Sequence, residues 1–286
     1  MLTIFTIPKP FAGHINTIQK NAISSWLQIV PKCAIILFGN DDGVAATAHE
    51  LGVRHIPSIE KNEYGTPLLH NVFNRAQEVA KYDTLMFCNA DMIFTDDLIG
   101  AINNLPSAEF LACGMRWDLD IKEEIDYSDA HWREKILKLK KLNGILHGFA
   151  GLDYFIFKKK SINMLPFAVG RPGWDNWLIF HMRSRGVPVI DTSDVITAIH
   201  QNHDYSHSKF GKEKKVIGPE RDINTKLAGG SVNMMSLRDA NLIMNKQGIK
   251  PPNFPRRIYP MLSSLLPWRF LLSIRRNILV TIDSIK

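Results

Sequence analysis

Two apolar runs, LTIFTI at residues 2–7 and AIILF at 34–38, lead into a proline-rich and a polar turn, and a third, TLMFCNADMIF at 84–94, carries Asn89 and Asp91 within it, with helix-spaced segments between the three. They are β-rich and too short for core helices. Pro8-Lys9-Pro10 stops the first run; Ile15, Ile18, Ala22, Trp26 and Val30 then recur at helical spacing until Pro31. A short helix over about 44–51, a strand over 54–56 and a helix over about 68–80 follow, and TLMFCNADMIF reads as one further strand. This alternation dictates an α/β domain built on a mostly parallel sheet flanked by helices. Ligands of such sheets gather beyond the carboxyl ends of the strands. Three polar clusters occupy those exits: Pro8-Lys9-Pro10, the turn Gly39-Asn40-Asp41-Asp42-Gly43, and Asn89-Ala90-Asp91. Their recurrence points to one shared site.

The second half is less regular. EFLACGMRWDLDI reads as a strand, 128–141 as a charged helix, HGFAGLDYFIF as a glycine turn and strand, GRPGWDNWLIFHMRSRG as a loop entering a helix, and VPVIDTSDVITAIH as strand-rich. From about residue 208 the text turns basic and polar (KFGKEKK), with a linker at KPPNFPRR. With 286 residues, 45% of them hydrophobic, the chain forms one large domain or one plus an appendage. Its net charge of +7 fits an anionic partner: nucleotide phosphates, lipid headgroups or nucleic acid. Three scattered cysteines without a C-x-x-C pair imply a reducing, cytoplasmic setting. The opening MLTIFTIPKPFAG reads as a strand rather than a signal peptide. No run reaches the roughly 18 to 20 apolar residues of a membrane-spanning helix.

Asn89 and Asp91 stand two apart, so in an extended segment both side chains reach one ligand. Oxygen donors at a strand exit suit Mg²⁺ or Mn²⁺ bridged to substrate phosphates. The competing role, a helix cap, belongs to Asp96 and Asp97 before DLIGAINNL; Asp91 is too early for it.

On these residues the chain resembles the GT-A fold glycosyltransferases, specifically the family 2-like enzymes that use nucleotide sugars. The resemblance spans roughly residues 1–207. It implies a GT-A (Rossmann-like) mixed, mostly parallel sheet, with a nucleotide-sugar half over about 1–100, an acceptor half over about 101–207 and a basic, helical C-terminal extension over 208–286. Thr6, Pro8 and Lys9 match the donor loop, Asp41 or Asp42 the acidic turn that contacts base or ribose, and Asn89-Ala90-Asp91 the metal-binding D-x-D, with Asn at its first position. A divalent cation, Mn²⁺ or Mg²⁺, is implied as cofactor, with Asp91 as its carboxylate.

A full D-x-D, Asp118-Leu119-Asp120, also ends an apolar run and competes for the metal. By its order in the chain it ranks second; beside Trp117 it is equally an acceptor contact or a solvated loop. In GWDNWL, Asp175 stands at a helix start, where it is either an N-cap or the base that takes the acceptor's proton. The resemblance favours the base, with Trp174 in place of the first acidic residue of the family's pair and with Trp174 and Asn176 beside the acceptor. HQNHDYSH holds three histidines, and His200, then His203, match the family's cation-completing histidine. His147, Gly148 and Asp153 of HGFAGLDYF match the acceptor pocket.

In the C-terminal text, Leu271, Ile274, Ile278, Ile282 and Ile285 share one helical side opposite Arg269, Ser273, Arg276 and Asn277. A helix over 261–285 with this pattern either lies on anionic lipid or packs on the domain. The expected partners are therefore a nucleotide-diphosphate sugar, a saccharide or lipid-linked acceptor and, through that helix, the inner face of the membrane. Nucleic acid is not expected, because the basic residues do not interleave with aromatics on one face. Three other functions compete: a sugar nucleotidyltransferase, for which IPKPFAGH is a poor glycine-rich loop; a zinc hydrolase on the histidine cluster; and a carbohydrate-binding protein using the tryptophans.

Overall fold

The computed structural model describes residues 1–203 and 218–253. The helix expected over 261–285 and the KFGKEKK stretch lie outside the described residues.

The chain runs β1 (Leu2–Thr6), α1 (Gly13–Leu27), β2 (Ala34–Phe38), α2 (Val44–Glu50), β3 (Arg54–Ile56), α3 (Leu69–Val79) and β4 (Thr84–Cys88). It continues through β5 (Met92–Phe94), α4 (Asp97–Asn103), β6 (Leu111–Cys113), β7 (Trp117–Leu119), α5 (Trp132–Asn143), β8 (Ile145–Leu146) and β9 (Tyr154–Lys158). Then come α6 (Trp174–Ser184), β10 (Val189–Asp191), β11 (Ala198–Gln201), α7 (Pro219–Leu227), β12 (Leu242–Asn245) and β13 (Gly248–Lys250).

Nine strands form one sheet in the order β13-β12-β10-β6-β9-β4-β1-β2-β3. Its pairs are parallel except where β9 runs antiparallel between β4 and β6, and at the β12–β13 hairpin. This is the mixed, mostly parallel sheet that the resemblance implies. Alternate residues of the strands feed two cores. Phe5, Phe38, Phe87, Phe155 and Phe157 pack with Phe73 of α3 and Leu178 of α6 on one face. Leu2, Ile4, Leu37, Met86 and Ile156 pack with Ile23 and Trp26 of α1 and Leu98 of α4 on the other.

Two expectations are corrected. TLMFCNADMIF is two strands, not one: β4 belongs to the large sheet, and β5 to a second, four-stranded sheet ordered β5-β11-β7-β8. The boundary near 207 is not an edge of the sheet, because β12 pairs in parallel with β10 and extends the central sheet. The hairpin LIMN-KQ-GIK is apolar on one strand only, and its partner β10 lies some fifty residues upstream, so local pattern does not reveal the pairing.

Candidate active site

Cys88 closes β4 by pairing with Tyr154, and four residues later Met92 pairs with His200 in the small sheet. Asn89–Asp91 is the crossing between the two sheets, so its side chains do not follow a strand's alternation. They diverge. Asn89 Nδ2 donates to Asp153 Oδ1 at 2.6 Å, while Asp91 Oδ2 lies 3.3 Å from His203 Nε2 and 3.8 Å from His200 Nε2. Asn89 is thus tied to Asp153 through its Nδ2. A buried polar set fixes the crossing from behind. Gln201 donates through its backbone N–H and Nε2 to the Asp91 carbonyl at 3.1 and 3.2 Å, and itself accepts from Asn21 Nδ2 at 3.0 Å.

Asp91, His200 and His203 offer three donor atoms within 4.8 Å of one another. Asp91 is buried, and its Oδ1 has no hydrogen-bond partner among the described residues. A buried, unsatisfied carboxylate oxygen is costly unless a ligand engages it. The set therefore fits a divalent cation, and its chemistry is specific: two imidazoles with one carboxylate suit a transition metal better than Mg²⁺. Lys9 Nζ stands 3.3 Å from His203 Nε2, bringing a cation to the same point from the loop after β1. Burial would raise the Asp91 carboxyl, but the His203 hydrogen bond and the charges of His200 and Lys9 outweigh it and hold the group well below the usual carboxylate range. Burial pushes the Lys9 amine down despite Asp91 and Asp153.

The second motif is used differently. Asp118 sits in β7 directly opposite His200 of β11. Its Oδ1 accepts from Arg116 Nε at 2.8 Å and its Oδ2 meets His147 Nδ1 at 2.7 Å. His200 Nδ1 lies 3.1 Å from Asp118 Oδ1, at ion-pair distance but out of line for a hydrogen bond. Burial opposes ionisation of Asp118; contacts to both histidines and to the Arg116 guanidinium outweigh it and keep the carboxyl low. Burial likewise opposes the charge on His200, and Asp118 with Asp91 raises its pKa nonetheless. Arg116 also pairs with Asp153, so one charged chain runs Asn89–Asp153–Arg116–Asp118–His200–Asp91. Asp120 is exposed and accepts from Asn202.

On the other side, α6 starts after Gly173, whose φ of 110° is open to glycine and strained for other residues. Trp174 is buried edge-on against Phe87 and Phe155, so the aromatic face expected for a sugar is core. Asp175 follows in the first turn and is half-buried. Burial pushes its carboxyl up to about 6; backbone N–H groups resist this and the Asp153 charge reinforces it. Asp153 thus acts electrostatically on Asp175, Lys9 and His200 alike. Asn176 tethers α6: its Nδ2 donates to the Met235 carbonyl at 2.6 Å and its backbone carbonyl accepts from Met235 N at 3.0 Å.

The remaining candidates fall around this centre. Thr6 and Pro8 are buried, which removes the Thr6 side chain from the expected donor surface; Lys9 is half-buried, its backbone clamped at both ends by Gln19. Asp41 pairs with Lys61 at 3.0 Å, and the Asp42 carbonyl accepts from Phe11 N at 2.8 Å, joining the first two loops. His147 is half-buried beside exposed Gly148, and a Cβ at Gly151 would collide with its ring. Trp117 lies under the Lys140 ammonium, 4.7 Å from the ring centroid. An open cleft of about 580 Å³ adjoins His203, lined by His14, Asp120, Ile121, Lys122 and Asn202.

Sequence reasoning ranked His203 behind His200, although His203 is nearer to Asp91. It missed Arg116, which carries no local signal, and Met235, which lies beyond the expected domain.

No family model and no curated protein matches the chain. Among solved structures it is similar to glucosyl-3-phosphoglycerate synthase from Mycobacterium tuberculosis, with 12% identity, a TM-score of 0.46 and 80% of this chain and 81% of that one covered. The same enzyme in complex with Mn²⁺, UDP-glucose and phosphoglyceric acid gives 12% identity and a TM-score of 0.44, covering 80% of each chain. S. aureus TarS 1–349 in complex with UDP is more distant, with 8% identity, a TM-score of 0.32, and 41% of this chain and 36% of that one covered. Likeness at this level carries no residue's role across to this chain.

Proposed function

We propose that the chain is a metal-dependent glycosyltransferase that moves a sugar from a nucleotide-diphosphate donor to a saccharide or lipid-linked acceptor with inversion. One observation carries the reading. A buried aspartate, one of whose oxygens has no partner among the described residues, meets two imidazoles where β4 leaves the sheet, and Asp153 links that cluster electrostatically to a carboxyl held near 6.

Asp91, His200 and His203 would hold the cation, and the two imidazoles favour Mn²⁺ over Mg²⁺. When bound, such a cation offsets diphosphate charge as the leaving group departs. Lys9 adds a positive charge beside the same point, on the loop that β1 presents to the donor. Asp118 and Arg116 fix His200, because an ion-paired imidazole keeps its orientation. Asp175 takes the acceptor hydroxyl's proton. A carboxyl near pH 6 is a stronger base than an exposed aspartate and is still largely ionised at neutral pH. His147, half-buried and held by Asp118, would orient the acceptor, while Asp153, engaged by Asn89 and Arg116, links the two functions electrostatically.

The test is a thermal-shift titration with UDP and GDP, each with and without Mn²⁺. A nucleoside diphosphate raises Tm further when Mn²⁺ is present, and Asp91→Ala removes that increment. Absence of stabilisation by both nucleotides under every metal condition contradicts the donor site.

The donor set itself favours a second reading, a zinc-dependent hydrolase, since two histidines and a carboxylate with an open position also suit catalytic Zn²⁺. Stoichiometric zinc in purified protein, with no nucleotide effect on Tm, would select it.

A further inference from the structure

Four of the nine exposed large apolar residues among the described residues lie between positions 137 and 146: Leu137, Leu142, Ile145 and Leu146, with Leu142 and Ile145 each 70% exposed. They occupy the solvent side of α5 and the strand β8 that follows it. α5 is anchored by its other side, where Trp132 and Ile136 pack on Ile93, Leu119 and Ile199 of the small sheet. Apolar residues already buried explain the helix's position; the exposed ones need another reason. Lys138 and Lys141 stand among them, exposed and without an ion pair among the described residues, whereas Lys135 and Arg133 are paired with Asp129 and Asp96.

We propose that the α5–β8 surface docks on an anionic phospholipid bilayer, with Leu142 and Ile145 entering the headgroup region and Lys138 and Lys141 meeting lipid phosphates. Charge complementarity selects this occupant. Lysines are depleted in protein–protein contacts but favoured beside apolar residues at anionic interfaces. Strand addition by a protein partner is disfavoured, since β8 is a two-residue edge. Register ties the docking surface to the site. Ile145 pairs with Asp118 and Asp118 with His200, so the three share one row of the small sheet. His147, one residue past β8, contacts Asp118. If the glycosyltransferase reading holds, a lipid-linked acceptor is thereby presented at His147 from the bilayer; the docking itself does not depend on that reading.

The test is flotation of the full chain with phosphatidylcholine vesicles containing or lacking 30% phosphatidylglycerol. Comparators are Leu142→Ser/Ile145→Ser, Lys138→Glu/Lys141→Glu, and a control, Ile223→Ser/Val232→Ser, on other exposed apolar residues. Both α5–β8 variants should lose roughly tenfold or more of the partitioning to anionic vesicles, while the control matches wild type and all keep the wild-type Tm. The proposal is overturned if the α5–β8 variants partition like wild type, if wild type ignores anionic lipid, or if the apolar variant instead turns a dimer into a monomer. Nucleotide effects on Tm, recorded on the same proteins, test the glycosyltransferase reading separately.

Discussion

Asp91 and Asp118 flank the same imidazole, that of His200, yet their oxygens are used differently. Both oxygens of Asp118 are engaged, by Arg116 and His147, with His200 close by. Asp91 is buried and its Oδ1 has no hydrogen-bond partner among the described residues. On the proposed reading, the carboxylate in the full D-x-D supports the site, and the one in the altered motif has the capacity left to bind. Motif spelling ranks these two residues less reliably than an account of where each oxygen's hydrogen bonds go.

Substitution at the two positions gives the largest expected contrast. On the proposed reading, Asp91→Ala removes a cation ligand and should lower turnover on the order of 10³-fold, with metal-dependent nucleotide binding lost. Asp118→Asn keeps the shape but loses the charge that orients His200, and should weaken Mn²⁺ affinity by only about 10- to 100-fold. If Asp118→Asn proves the more damaging for Mn²⁺ binding, the assignment of roles is reversed.

Asp175→Asn tests the other end of the site. Turnover should fall by about 10²- to 10⁴-fold while the donor's Kd stays at the wild-type value. The pH dependence follows from the raised carboxyl. The base must be ionised, so kcat/KM should rise with pH along a limb centred near 6 and fall away below it. Stability runs the opposite way: a folded-state pKa above the ordinary 3.8 favours the protonated form, so folding is penalised increasingly as pH climbs from about 4 through 6. Asp175→Asn should therefore gain Tm relative to wild type at pH 8 and lose that advantage at pH 4, measured by calorimetry.

The smallest effect is expected at the tether. Asn176→Ala removes the side-chain hydrogen bond to Met235 and should cost about 1 kcal/mol in urea denaturation. It should raise KM or lower kcat modestly without moving Mn²⁺ affinity.

Much of the scaffold was legible because its signals are local. β2 matches the apolar run read at 34–38, β3 the short strand read at 54–56, and α2 begins at Val44 as expected. Asp91 and Asp175 stood out because a carboxylate at a strand exit and another at a helix start break the apolar pattern around them. What the text hid is non-local. Asn89 turns to Asp153, sixty-four residues away, and Trp174 is drawn into the core by Phe87 and Phe155. Met235 reaches Asn176 only because β12 returns to the sheet beside β10. The pairing of His203 with Asp91 depends on β11 lying against β5, a choice made by sheet assembly.

Direct titration of Mn²⁺ by electron paramagnetic resonance, on wild type, Asp91→Ala and Asp118→Asn with and without UDP, is the most direct test. The account predicts one Mn²⁺ per chain, bound more tightly with UDP, absent in Asp91→Ala and weakened in Asp118→Asn. Undiminished Mn²⁺ binding by Asp91→Ala would contradict it.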